Sequence, residues 1–326
     1  MSNGTKTLIV IVFILVLIGV CVGAYFALTK PVETTQETTK SGEDYYSALF
    51  TVENFPKMDA SLATQPLTDA FYRNFLGLDP SADGYTEYTN THWGYERLIT
   101  GKTNFKDKDY GDRDIIVVTY PSAEEQQLAK DNNVELDIRP VVDEGFVFFV
   151  NKENPVNNLT LKQIQDIYSG KITNWKEVGG LDEKIVPYQR PVNSGSQSGM
   201  LELVMKDENG NPIEMIEPTK ETFEQTMEGI IEAVADYDNA RQALGYSYYY
   251  YANTMFTKDS IKLISIDGVQ PTNETIKNNT YPIHTAYYVV TRAGEEGSPA
   301  YKLRDAMLSE RGQIIAENAG YVPVGN

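Results

Sequence analysis

The sequence predicts an α/β protein of two lobes behind an N-terminal transmembrane helix. Short apolar runs rich in β-branched and aromatic residues alternate with stretches of helical periodicity, the pattern of mixed sheets and helices. Residues 45–326 are too many for one minimal core, so two lobes are the default expectation. Residues 8–28 form a run of 21 residues without a charge, long enough to cross a bilayer as a helix.

That run, LIVIVFILVLIGVCVGAYFAL, is longer than the apolar region of a signal peptide and lacks an A-x-A-like cleavage site. Val20 precedes Cys21 where a lipoprotein signal carries a small residue, so residues 1–28 read as an uncleaved anchor in the cell membrane. Residues 29–44, rich in Thr and Glu, read as a solvated linker. Lys6 ahead of the run sets the N-terminus inside and the globular part extracytoplasmic.

Within the globular part, residues 66–76 carry Leu67, Phe71 and Phe75 at i, i+4 spacing and predict a helix buried on one face. Residues 114–119 (DIIVVT) and 146–150 (FVFFV) predict buried strands. Thr160 and Gln163 have capping-box spacing and open a helix carrying Ile164, Ile167 and Tyr168, which Gly170 closes. A loop begins at Asn174-Trp175 and runs through Gly179-Gly180. Strands are expected over 245–251 (GYSYYYY), 261–266 and 286–291, and helix over 300–318.

Composition excludes several functions. The formal charge of −18, from 46 acidic and 28 basic residues, is the wrong sign for nucleic acid. It also repels small anions at long range, so an anion site here must work through short-range hydrogen bonds and local dipoles. Cys21 is the single cysteine, and His92 and His284 are the only histidines, which argues against disulfides, a zinc site or any metal or cofactor. No nucleophile–base pair is visible, so no enzyme is expected. Gly195-Ser-Gln-Ser-Gly199 has Gln197 where a nucleophile elbow needs serine.

The most informative segment is 185–205. Arg190 stands four residues before Ser194-Gly195-Ser196, which in turn precede the helix-like MLELVM. A Ser-Gly-Ser turn at a helix start supplies hydroxyls, unpaired N–H groups and the positive end of the helix dipole. The planar guanidinium of Arg190 matches a tetrahedral oxyanion.

Residues 157–180 (NNLTLKQIQDIYSGKITNWKEVGG), the Arg-x-x-x-Ser-Gly-Ser of Arg190 to Ser196, and Asp267-Gly-Val-Gln-Pro-Thr followed by Tyr281-Pro282 resemble the phosphate-binding proteins of ABC importers, in the same order and at similar spacing. The resemblance implies a type II periplasmic-binding-protein-like fold with two crossover strands, at 146–151 and 286–291. The expected lobes are 45–147 and 288–326 for the first and 148–287 for the second. It also implies that Arg190, Ser194, Gly195 and Ser196 bind the anion from the second lobe. Ser61, Leu62 and Ala63 would offer backbone N–H groups from the first, together with Thr91 or His92, of which Thr91 suits better because a hydroxyl both donates and accepts.

Two departures from the family stand out. Leu62 replaces a hydroxyl residue, and Tyr120 stands where the family has a carboxylate that accepts the ligand's proton, unless an acid within 106–114 substitutes for it. The expected function is capture of phosphate or a related oxyanion by a monomer that delivers it to ABC permease subunits. The alternative from another class is an anchored anion sensor or adhesion module with an altered site.

Overall fold

The computed structural model describes residues 50–79, 86–102 and 111–324, and from Phe50 onward these belong to one compact unit. The expected anchor and linker lie outside the described residues. Among those described, no helix is long and apolar enough to cross a membrane.

Strand β1 (Met58–Ala60) runs parallel to β2 (Thr86–Glu87) on one side and to β3 (Ile115–Val118) on the other. All four residues of β3 are buried, as its unbroken β-branched run requires. Between β1 and β2 lies α1 (Gln65–Leu76), started by Pro66 in its first turn and ended by Gly77 at φ 70°. It buries Leu67, Phe71 and Phe75, and Tyr72 meets Phe55 edge to face at 5.2 Å. Helices α2 (Thr91–Thr100) and α3 (Ala123–Asp131) flank β3 in sequence.

The strand expected over 146–150 is the end of a much longer one, β4 (Leu136–Asn151). Up to Gly145 it pairs antiparallel with β10 (His284–Arg292), which also pairs with β3. From Phe146 it pairs instead with β7 (Ala243–Tyr248) and then β8 (Ile261–Leu263). One strand therefore serves two halves of the sheet. Pairing with β10 shifts register between Tyr287 and Tyr288, leaving Val141 without a partner across the ladder. Its carbonyl accepts instead from the Gln313 amide at 3.0 Å.

The second half adds β5 (Asn158–Leu159), α4 (Leu161–Tyr168), β6 (Val186–Pro187), α5 (Gly195–Gly199), which continues as a wider π-helical turn (Met200–Val204), and α6 (Met227–Asp236). Thr160 and Gln163 form the predicted capping box of α4. Phe146, Phe148, Tyr168 and Tyr246 pack here with ring centroids 5.5–6.2 Å apart. Then follow β9 (Ser265–Ile266), α7 (Asn273–Lys277), α8 (Pro299–Leu308), α9 (Glu310–Asn318) and β11 (Val322–Pro323).

Four local expectations need correction. The tyrosine run 245–251 is strand only to Tyr248, because the Tyr250 N–H donates to the Glu144 carboxylate and the chain turns helical. Residues 261–266 break into β8 and β9. Residues 300–318 divide at Ser309, whose hydroxyl caps α9 by accepting from the Gly312 N–H at 3.1 Å. A Cβ at Gly312 would lie 2.2 Å from the Met307 carbonyl oxygen, so only glycine fits that corner. Finally, the loop begun at Asn174 contains a 3-10 turn, Trp175–Val178.

Glu144 sits where β4 changes partners, fully buried, and accepts from the N–H groups of Gly145 and Tyr250. Burial dominates and pushes its carboxyl up to about 8, against partial relief from those N–H donors. The folded state thus holds a proton that the unfolded chain releases at ordinary carboxyl pH. Stability is then expected to fall as pH rises from about 5 to 8, by a few kcal/mol at about 1.4 kcal/mol per unit. Urea denaturation across this range checks it: Glu144→Gln should flatten the slope markedly, and an unchanged slope would place its origin elsewhere.

Candidate functional site

The site begins at the end of β1. The Ser61 N–H donates to the Val117 carbonyl at 3.2 Å, and Thr64 Oγ1 donates to the same oxygen at 2.7 Å. This pins the turn Ser61-Leu62-Ala63, which leads into α1, against β3. Beyond α1 and β2, the Asn90 side chain caps α2 by accepting from the Trp93 N–H at 2.8 Å.

The loop that delivers Asn90 and Thr91 is held from beneath. Asp59 accepts from the Thr89 N–H at 3.1 Å and from its hydroxyl at 2.8 Å. Asp59 in turn pairs with Arg97 at 2.7 Å, both side chains wholly buried, and Arg97 also pairs with Glu87 at 2.6 Å. Burial pushes the Asp59 carboxyl up despite those hydrogen bonds.

In the second half, Ser194 caps α5 by accepting from the Gln197 N–H at 3.3 Å. The Gln197 Oε1 accepts from the Tyr246 hydroxyl and from the Arg190 N–H, which fixes the backbone at Arg190. The guanidinium then donates from Nη1 to Ser196 Oγ at 3.2 Å and from Nη2 to the Gln225 carbonyl at 3.1 Å. Its Nε has no partner although the residue is only 9% exposed. Among the described residues no carboxylate pairs with it, and Glu224 acts only at longer range. Burial lowers its pKa to about 10, so it remains a cation at neutral pH.

The two halves meet at Gly195. A Cβ there would lie 2.7 Å from Thr91 Oγ1 and 3.1 Å from Thr119 Oγ1, so a side chain would push the Ser-Gly-Ser turn away from both hydroxyls. Tyr248 donates to the Gly195 carbonyl at 2.9 Å.

Around this junction lies a cavity of about 260 Å³. Eight of the ten residues expected from sequence line it: Ser61, Leu62, Ala63, Thr91, Arg190, Ser194, Gly195 and Ser196. The other two face elsewhere. His92 Nδ1 lies 3.2 Å from Glu125, whose carboxylate raises the imidazole pKa above its usual value. Tyr120 is 51% exposed, packs on Tyr288 at 5.3 Å and lines a separate depression. Its neighbour Thr119 points into the cavity in its place. The acids of 106–114 within the described residues do not reach the cavity either: Asp112 pairs with Lys57 Nζ and Asp114 accepts the Lys57 N–H, at the opposite end of β1 from Ser61.

Sequence reasoning missed Thr89, Asn90, Thr119, Tyr248 and Tyr251, and the whole turn from Gln225 to Glu228 that opens α6. The one local signal for that turn was Thr226, which caps α6 by accepting from the Gly229 N–H at 2.9 Å. With it, four helix starts converge on the cavity, each with N–H groups left free by the first turn. A more open groove of about 650 Å³ between α1 and α9 has only the exposed Arg73 as a cation.

A family model described as a PBP superfamily domain matches residues 80–307. The phosphate-binding protein PstS of Bacillus subtilis is 26% identical over 307 residues, covering 92% of this chain and 91% of its own. PstS of Borreliella burgdorferi is 28% identical over 186 residues, 56% of this chain and 63% of its own. An ABC-type phosphate transport receptor of Vibrio cholerae shares the fold with a TM-score of 0.60 at 20% identity, covering 82% of this chain and 98% of its own. A Clostridium perfringens protein assigned as a phosphate ABC transporter substrate-binding protein, solved with phosphate bound, gives 0.60 at 24% identity with the same coverage.

Removing one partner of a buried ion pair typically costs 3–5 kcal/mol. Asp59→Asn should therefore destabilise the protein by about 3 kcal/mol or more, read by chemical denaturation. An unchanged midpoint would mean that Glu87 alone neutralises Arg97.

Proposed function

The chain belongs to the PBP superfamily, and from that premise we propose that it is an extracytoplasmic solute-binding protein that holds phosphate between two lobes for ABC-type import. The observation that carries the reading is Arg190: a buried guanidinium without a carboxylate partner among the described residues, lining a cavity on which four helix starts converge. An anion completes this arrangement. Its oxygens would accept from Arg190, from the hydroxyls of Ser194 and Ser196, and from first-turn N–H groups of α5 and of the Ser61–Ala63 turn. Thr91 and Thr119, 3.3 Å apart, can each donate or accept, which suits an anion that still carries a proton. The reading is of binding and release, not catalysis.

The lobes of this proposal are 45–147 with 288–326, and 148–287. Supporting the division is the change of partner along β4, from β10 before Phe146 to β7 after it. An N-terminal membrane anchor rests on the apolar run 8–28 alone, and delivery to permease subunits rests on the names of the relatives.

Arg190→Ala is expected to weaken phosphate binding by at least tenfold, since hydrogen bonds to charged groups are worth about 1.5–3 kcal/mol and 1.4 kcal/mol is one decade. Arg190→Lys should recover only part, because a point charge lacks the planar fork. Calorimetry beside ligand-free melting curves decides: a lower melting temperature with unchanged affinity of the folded protein would make Arg190 structural and overturn the site.

A further inference from the structure

We propose that, besides inorganic phosphate, the cavity takes a phosphorus oxyanion carrying a small apolar substituent, as an alkylphosphonate or an alkyl phosphate monoester does, and that Leu62, Met227 and Tyr251 receive it. The inference rests on the oxyanion reading of the cavity and extends its substrate class.

Size is the first argument. A five-atom oxyanion displaces roughly two to three waters at about 30 Å³ each, so it leaves most of the 260 Å³ unfilled. The lining is the second argument, because it is divided in chemistry. Arg190, Ser194, Ser196, Thr91 and Thr119 bring positive charge and hydroxyls and Glu228 brings a carboxylate, whereas the side chains of Leu62 and Met227 bring no donor for a bare anion.

Leu62 is the sharpest of these observations. It is a large aliphatic chain left 54% exposed in the first turn before α1, beside a polar cavity, where covering it would be favourable. Met227, half-buried in the first turn of α6, has an unbranched thioether that adapts to irregular shapes. The Tyr251 ring is held by stacking on Phe256 at 6.2 Å and offers a flat apolar wall. A short alkyl group against these three side chains would gain a contact that inorganic phosphate cannot make.

Calorimetry on the full chain with inorganic phosphate, propylphosphonate and propyl phosphate tests this, the last two separating a direct carbon–phosphorus link from an ester. At least one organic probe is expected to bind as tightly as phosphate or tighter. Leu62→Thr and Met227→Ser should each lower the organic-to-phosphate affinity ratio at least fivefold, since a methylene in an apolar pocket is worth about tenfold or more. If phosphate binds and both organic probes are more than tenfold weaker, the substituent is excluded and the phosphate reading stands. Binding of none of the three overturns the oxyanion reading itself. An unchanged ratio in both folded variants would remove the substituent from this wall of the cavity.

Discussion

A buried positive charge with no negative partner among the described residues is the constraint around which the site is arranged. Arg190 is nine-tenths buried, and two of its three guanidinium nitrogens are answered only by neutral acceptors, Ser196 Oγ and the Gln225 carbonyl. Desolvating such a cation is costly, as its lowered pKa reflects. The same protein shows what a structural arginine looks like. Arg97, wholly buried beneath the cavity, is met by both Asp59 and Glu87. Arg97 is a charge neutralised during folding, and in the proposed function Arg190 is one that a ligand neutralises.

This local field also resolves the apparent conflict with a net charge of −18. Long-range repulsion decays within about a Debye length, roughly 8–10 Å in physiological salt. Inside the cavity the lining offers a guanidinium, hydroxyls and helix starts alongside a single carboxylate, Glu228, so short-range hydrogen bonding governs there. The bulk charge disfavours polyanions.

The second-half cluster was legible because it is contiguous. Arg190, Ser194 and Ser196 fall within one turn and one helix start, and a local rule suffices to read them. Thr119, Thr226 and Tyr251 were not legible, because only the topology of the sheet brings β3, α6 and the segment after β7 to the same place. The Tyr120 expectation missed by one residue. Side chains alternate across a strand and its immediate continuation, so a slip of one position exchanges the cavity face, occupied by Thr119, for the face where Tyr120 packs on Tyr288. His92 differs from Thr91 in the same way within the first turn of a helix. In the fold, buried runs such as 115–118 were read closely, whereas the tyrosine run from 245 was over-extended because β propensity cannot register a carboxylate 106 residues away capturing the Tyr250 N–H.

Strand β4 has a consequence for how the molecule comes apart. Its first ten residues hold β10 and its last six hold β7 and β8, within one uninterrupted backbone ladder. Fraying of either side removes order from a strand that the other side needs as its own edge. The two sets of strands are thereby linked in a single cooperative transition, in the sense of a shared foldon, and amide protons along β4 should be the last to exchange with solvent.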